Sequence, residues 1–151
     1  MLQSIEKEIK IRQSYLNDSK VSSIYFGGGT PSILDKDEIK SLIHTIYNYF
    51  KIDPDAEITL ECNPDDLDKN KLLELKEIGI NRLSIGIQSF NNADLKFMNR
   101  SHNAKEALSC IQFAKEVGFE NITIDLIYGL PNQSNENWKK NLAQMLTLDI
   151  Q

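Results

Sequence analysis

The stretch EIGINRLSIGIQSF, residues 77–90, decides the fold of this chain, because it joins the end of a helix to a strand through Gly79. Apolar residues recur at helical spacing before this glycine, and from Leu83 onward they alternate with small or polar residues. The same arrangement returns in EVGFENITI, residues 116–124. Helices that end in glycine and lead into strands, with no hairpin signal between them, predict βα units and a parallel sheet.

The other elements follow from the same patterns along the chain. We expect four parallel strands, near residues 22–27, 57–62, 82–87 and 121–127. Helical spacing predicts helices between them, a first helix over about residues 2–17 and a last helix from about Ser134. The side chains expected to face inward from the last helix are Trp138, Leu142, Met145 and Leu146.

Each strand is apolar on one face and small or polar on the other, whereas a parallel sheet covered on both faces usually has continuous apolar strands. The polar faces end, near the strand carboxyl ends, in Gly27, Glu61, Gln88 and Asp125. A polar inner face favours an α/β fold of the barrel type, with helices outside and function at the carboxyl rim. The alternative is an ordinary sheet with a solvent-exposed face. Because a TIM barrel needs about eight strands, we expect a partial parallel βα barrel.

Several residues at these strand ends are candidates for binding a ligand. The segment IYFGGGTPS, residues 24–32, places three glycines directly after a strand, where the backbone can approach a ligand closely. It has neither the dinucleotide-binding spacing nor the lysine of a P-loop. Glu61, Gln88 and Asp125 could bind a ligand, or could instead form salt bridges and cap strand ends. Arg100 could pair with a carboxylate or remain a solvated surface residue.

Composition and charge exclude several classes of protein. The 151 residues are 40% hydrophobic and 26% charged, which is typical of one globular domain, and the net charge of −5 argues against nucleic acid as a partner. No stretch approaches the roughly 20 apolar residues of a membrane span. His44 and His102 lack a second ligand at metal spacing, and Cys62 and Cys110 predict neither a disulfide framework nor a metal site. A reducing cytoplasm is the simplest location.

The strings YFGGGTPS, LECNP, GINRLSIGIQSF, RSHN and IDLIYGLP, in this order, resemble the radical S-adenosylmethionine (SAM) superfamily. Within it the chain is similar to the oxygen-independent coproporphyrinogen III oxidase-like proteins. The resemblance implies a partial (βα)6 barrel and a [4Fe–4S] cluster that cleaves SAM to a deoxyadenosyl radical. It also implies an electron donor such as flavodoxin or ferredoxin for the parent protein.

By matching positions, the resemblance implies a set of residues that bind or surround SAM. These residues are Gly28, Gly29, Thr30, Glu61, Gln88, Arg100 and Asp125. The Cys-x-x-x-Cys-x-x-Cys motif that holds the cluster is absent from this chain, so no metal ligand and no catalytic residue is assigned. We therefore expect residues 1–151 to be an incomplete radical SAM core domain, without its first strand and cluster loop and without its C-terminal part.

Three functions remain open at this point. The family includes haem chaperones, which hold porphyrin or haem, and oxidases that decarboxylate coproporphyrinogen III; a TIM-barrel-like enzyme without radical chemistry is the third alternative. The segments Gln88-Ser89-Phe90 and Arg100-Ser101-His102-Asn103 resemble the chaperones more, since the oxidases more often carry Gln-Asp-Phe. His102 is a candidate haem ligand, or a residue of helix entry or of the surface.

Overall fold

The four strands form one parallel sheet, and helices occupy the connections between them. The structure is a computed structural model that describes residues 1–17 and 19–150. The strands are β1 Val21–Phe26, β2 Ile52–Cys62, β3 Arg82–Gln88 and β4 Asn121–Leu126, in that order across the sheet. The helices are α1 Leu2–Ile11, α2 Lys36–Tyr49, α3 Lys69–Glu77, α4 Asn92–Phe97, α5 Ala104–Val117 and α6 Asn135–Leu146. The prediction of four parallel strands alternating with helices is confirmed.

The apolar face of the sheet meets the helices, as the alternation predicts. Leu60 lies beside Leu83, and Leu83 lies beside Ile122, so that one row of buried side chains crosses three strands. Helices α2, α3 and α5 contribute to the same core the buried side chains Ile39, Leu72, Leu75, Ala107 and Ile111. Burying each large aliphatic side chain contributes about 1.5–3 kcal/mol. The packing therefore fixes which face of every strand is left for polar residues.

Strand β2 begins at Ile52, earlier than the alternation predicts. Val21 pairs with Ile52, but Ser23 pairs with Glu57, so the register shifts and β2 carries extra residues opposite β1. Pro54 lies within this irregularity, where a residue without an N–H group is tolerated. The sequence IDPD, residues 52–55, is not typical of a strand, because it contains a proline between two aspartates. Pairing with β1, and not local preference, places this segment in the sheet.

Local signals place the helix ends. The side chain of Asp35 accepts a hydrogen bond from the Glu38 N–H at 2.8 Å, and the Asp35 N–H donates to Oε2 of Glu38 at 3.0 Å, which completes a capping box. Ser134 caps α6 as expected, with its hydroxyl accepting from the Asn137 N–H at 3.2 Å. The first helix is shorter than predicted, because a separate 3₁₀ turn, Gln13–Leu16, follows α1.

The inward face of α6 differs from the prediction. Trp138, Leu142 and Met145 are half-buried, but Leu146 is 76% exposed. In α6, which is described in full, the buried residue is Asn141. Leu146 follows Asn141 by five residues, about 140° around the helix, so it points away from the body of the protein. None of the helices among the described residues is long and apolar enough to cross a membrane.

Candidate functional site

A polar cleft of about 240 Å³ lies at the carboxyl ends of the strands, on the face of the sheet opposite the helices. Six of the seven residues that the sequence singles out line it: Gly29, Thr30, Glu61, Gln88, Arg100 and Asp125. Asn63, Ser84 and Gly86 also line this cleft. Gly28 lies beside it and contacts Glu61 through its N–H group. The polar strand ends therefore converge on one concavity, as their shared parity indicates.

Glu61 is held through both of its carboxylate oxygens. The Tyr25 hydroxyl donates to Oε1 at 2.8 Å, and the Gly28 N–H donates to Oε2 at 2.9 Å. A Cβ atom on Gly27 would lie 2.8 Å from Oε1, so the glycine makes room for this arrangement. Each carboxylate oxygen accepts one bond and retains capacity for a second. Glu61 is thus oriented and still able to bind a ligand.

Tyr25 is a site residue that the sequence analysis did not single out. Its pKa is raised, chiefly because the neutral hydroxyl donates to the Glu61 carboxylate, with burial and nearby carboxylates contributing in the same direction. The sequence feature that indicates Tyr25 as a site residue is its position on the polar face of β1, between Ser23 and Gly27. A large aromatic ring on the polar face of a strand, next to a glycine, indicates a contact with the neighbouring strand.

Gln88 adopts an uncommon backbone conformation at the end of β3. Its φ is +68°, in the left-handed region, and the register with β4 shifts between Ile85 and Gln88. Its carbonyl accepts a hydrogen bond from the Ile127 N–H at 2.9 Å. Its side chain folds back over Gly86, where a Cβ atom would lie 2.7 Å from Gln88 Nε2. The β-bulge and the glycine together aim the carboxamide into the cleft.

Arg100 lies in the cleft rather than in bulk solvent. Its Nη2 donates to Asn63 Oδ1 at 2.8 Å and to the Gly86 carbonyl at 3.1 Å. Asp125 lines the same cleft from near the end of β4. The cleft thus combines one guanidinium with the carboxylates of Glu61 and Asp125. Such a set can recognise a ligand that carries both an ammonium and a carboxylate group.

The cysteines and histidines offer no metal centre. Within residues 1–17 and 19–150, no three His, Cys, Asp or Glu side chains are grouped so that they could hold a metal ion. Cys62 and Cys110 are buried, and burial raises the pKa of both thiols, to about 12 for Cys110. The His102 ring is fully buried and lies 3.0 Å from the Ile87 carbonyl and 3.3 Å from Asp65 Oδ1. The ring connects β3 to the segment after β2, so His102 has a structural role and does not lie on the surface.

Comparison with known proteins agrees with this architecture. The chain is 36% identical over 151 residues to the heme chaperone HemW of Bacillus subtilis, covering 99% of this chain and 40% of that protein. It is 35% identical over 148 residues to the oxygen-independent coproporphyrinogen III oxidase of Salmonella typhimurium, covering 98% and 32%. Among solved structures, coproporphyrinogen III oxidase (HemN) from Escherichia coli superposes with a TM-score of 0.89 at 35% identity, covering 99% and 34%. The chain therefore spans about a third to two fifths of the length of these relatives.

A family model matches nearly the whole chain, and the family assignment rests on this match. The family model of the radical SAM superfamily matches residues 3–145, which include all four strands and every residue that lines the cleft. The name of that family implies S-adenosylmethionine. With a parallel sheet, a polar carboxyl rim and this match over nearly its whole length, the chain belongs to the radical SAM superfamily.

Proposed function

We propose that the cleft binds S-adenosylmethionine and that this chain is the SAM-binding part of a radical SAM core that handles porphyrin or haem. The observation that carries the proposal is the pairing of an oriented carboxylate with a guanidinium in one cleft. Glu61 is fixed by Tyr25 and Gly28, and Arg100 is fixed by Asn63 and Gly86. SAM presents an amino-acid end that carries one ammonium and one carboxylate, which suits this pair.

Each residue of the cleft would contact a different part of SAM, according to the chemistry of its polar groups. Glu61 would accept from the ammonium group, and Arg100 would pair with the carboxylate. Asp125 and Gln88 would bond polar groups of the sugar or base, while Gly29 and Thr30 would offer backbone and hydroxyl groups. The N–H of Gly28 already donates to Glu61, so Gly28 would act by orienting that carboxylate. When bound, SAM supplies the adenosyl group that radical SAM chemistry uses.

A [4Fe–4S] cluster does not fit the residues of this chain that the structure describes. A cubane cluster needs several cysteine thiolates, whereas Cys62 and Cys110 are both buried and protonated at neutral pH. We propose instead that the cluster ligands lie elsewhere in the parent polypeptide, consistent with the share of the relatives' length that the chain covers.

Among functions of the parent, we propose a haem chaperone of the HemW type. Its support is the identity of 36–39% to several proteins of that name and the serine at position 89. The Ser89 hydroxyl lies 2.9 Å from Asp94 Oδ2 in a buried site, where a second carboxylate would be repelled. We further propose a cytoplasmic protein, which agrees with two unpaired thiols, and an electron donor such as flavodoxin or ferredoxin.

The second candidate is anaerobic coproporphyrinogen III oxidase. The observation in its favour is the fit to the Escherichia coli oxidase structure, with a TM-score of 0.89. One fold serves both functions, so the fold cannot choose between them. The match to the radical SAM family leaves no support for a TIM-barrel-like enzyme without radical chemistry.

Calorimetric titration of the chain with SAM, beside ATP as a control nucleotide, tests the proposed binding. We expect saturable binding of one SAM per chain and none of ATP, and an absence of SAM binding would overturn the proposal. To separate the two functions, the natural polypeptide that carries these residues would be incubated anaerobically with SAM, a reductant and coproporphyrinogen III. A chaperone would bind haem, seen by absorbance, and form no protoporphyrinogen; protoporphyrinogen with matching deoxyadenosine would establish the oxidase.

A further inference from the structure

The last helix is attached to the sheet through a buried polar side chain. Asn141 of α6 is only 2% exposed. Its Oδ1 accepts from the Phe90 N–H at 2.9 Å, and its Nδ2 donates to Ser89 Oγ at 3.0 Å. A buried amide is costly unless its polar atoms are paired. The two bonds therefore tie α6 to the two residues that follow directly after Gln88.

Ser89 extends this connection to helix α4. The Ser89 side chain is fully buried; its hydroxyl donates to Asp94 Oδ2 at 2.9 Å and accepts from the Asn91 N–H at 3.1 Å. Asp94 is itself buried, in the first turn of α4. Ser89 thus connects the end of β3 to α4 through Asp94 and to α6 through Asn141.

Gln133 closes the connection through the loop after β4. Its Nε2 donates to Asp94 Oδ2 at 3.0 Å, and its Oε1 accepts from the Gly129 N–H at 3.0 Å. The same loop begins at Ile127, whose N–H donates to the Gln88 carbonyl at 2.9 Å. We call Ser89, Asp94, Gln133 and Asn141 the Asn141 network. It links α4, α6 and the β4 exit, and it meets the cleft at Gln88.

We propose that Asn141 and Ser89 are positioning residues that hold Gln88 in its cleft-facing conformation, acting without touching the ligand. Gln88 has a φ of +68°, a conformation that persists only where the surroundings impose it. On the carboxyl side of Gln88, hydrogen bonds from Asn141 fix Ser89 and Phe90. The carbonyl of Gln88 itself accepts a hydrogen bond from the Ile127 N–H. Neither Ser89 nor Asn141 lines the cleft. The effect on ligand affinity rests on the proposed binding of SAM.

The test compares Asn141→Ala with Asn81→Ala. Asn81 is a matched control, because it also joins backbone groups through both amide atoms: Oδ1 accepts from the Ile58 N–H and Nδ2 donates to the Ala56 carbonyl, far from the cleft. Nuclear magnetic resonance of the ¹⁵N-labelled chain would follow the Gln88 carboxamide and the Ile127 amide. In Asn141→Ala we expect both signals to move and Ile127 exchange to accelerate roughly tenfold or more. Asn81→Ala should lower the melting temperature and leave both signals in place.

Affinity for SAM gives the second measurement. We expect Asn141→Ala to raise the Kd roughly tenfold, from the loss of a prepositioned group, and Asn81→Ala to leave it unchanged. If Asn141→Ala does not fold, Ser89→Ala removes part of the network and keeps the bond from Phe90. Unmoved Gln88 and Ile127 signals in the folded variant, or equal movement in Asn81→Ala, would overturn the positioning role. Failure of the unmodified chain to bind SAM would overturn only the proposed function, since the resonance measurement decides positioning without a ligand.

Discussion

The Tyr25 hydroxyl donates a 2.8 Å hydrogen bond to Oε1 of Glu61, across 36 residues of sequence and between adjacent strands β1 and β2. With the Gly28 N–H on the other oxygen, this bond sets the direction of the carboxylate at the rim of the sheet. Strand pairing brings the two residues together, because Tyr25 lies opposite Thr59 and the tyrosine ring reaches two residues further along β2.

Replacing Glu61 by glutamine should weaken SAM binding by about 1–3 kcal/mol, as expected for loss of a charged hydrogen-bond acceptor. Glu57→Gln is the control, because Glu57 lies on the same face of β2 but four residues before Glu61, where it does not line the cleft and accepts hydrogen bonds from Arg82 and Asn121. Calorimetric titration should show weaker binding for Glu61→Gln and unchanged binding for Glu57→Gln. Equal affinity in all three proteins would remove Glu61 from the site.

Tyr25 should ionise above the ordinary tyrosine pKa of 10.0. Because the folded state holds this proton more tightly than the unfolded chain, the associated stability is complete below pH 10 and is lost as pH rises through the raised pKa. Absorbance titration of the phenolate should show a late-ionising group among the five tyrosines. That group should disappear in Tyr25→Phe and ionise earlier in Glu61→Gln. An unaltered titration curve in Glu61→Gln would show that the bond does not govern this pKa.

Gly86→Ala should disturb the cleft more than the fold. The added Cβ would meet Gln88 Nε2 at 2.7 Å, which is the far end of a flexible side chain, and the Arg100 Nη2 at 3.7 Å. We expect the Gln88 carboxamide to be displaced, SAM affinity to fall several-fold, and unfolding free energy to change by less than about 1.5 kcal/mol. Thermal melting and calorimetry measure the two effects separately. A large loss of stability with unchanged affinity would contradict this account.

The chain by itself should remain colourless after anaerobic treatment with iron and sulfide. Cys62 and Cys110 are buried with raised thiol pKa values, so neither supplies a thiolate at neutral pH. In the native protein both thiols should resist Ellman's reagent, and both should react after denaturation in urea. A brown product that contains about four irons per chain would show that the cluster ligands are present after all.

Sequence patterns determined the parallel sheet and most of the cleft. The alternation of Leu60 and Cys62 with Glu61 places the carboxylate on the polar face, since side chains on a strand point alternately to either side. Gly118, with a φ of +91°, ends α5 where the sequence predicts it. These features depend on residues that are close together in the sequence. The spacing of apolar, polar and glycine residues along the chain therefore specifies them.

Only the tertiary structure decided which distant groups share a bond. Arg100 could as well be solvated, and it enters the cleft because Asn63 and the Gly86 carbonyl accept its Nη2. Asn141 faces inward, whereas Leu146, an apolar residue of the same helix, is exposed. Burial of an asparagine requires partners at Ser89 and Phe90, more than fifty residues earlier. No local periodicity records such a partner, because hydrogen bonds between remote segments exist only once the strands and helices have packed.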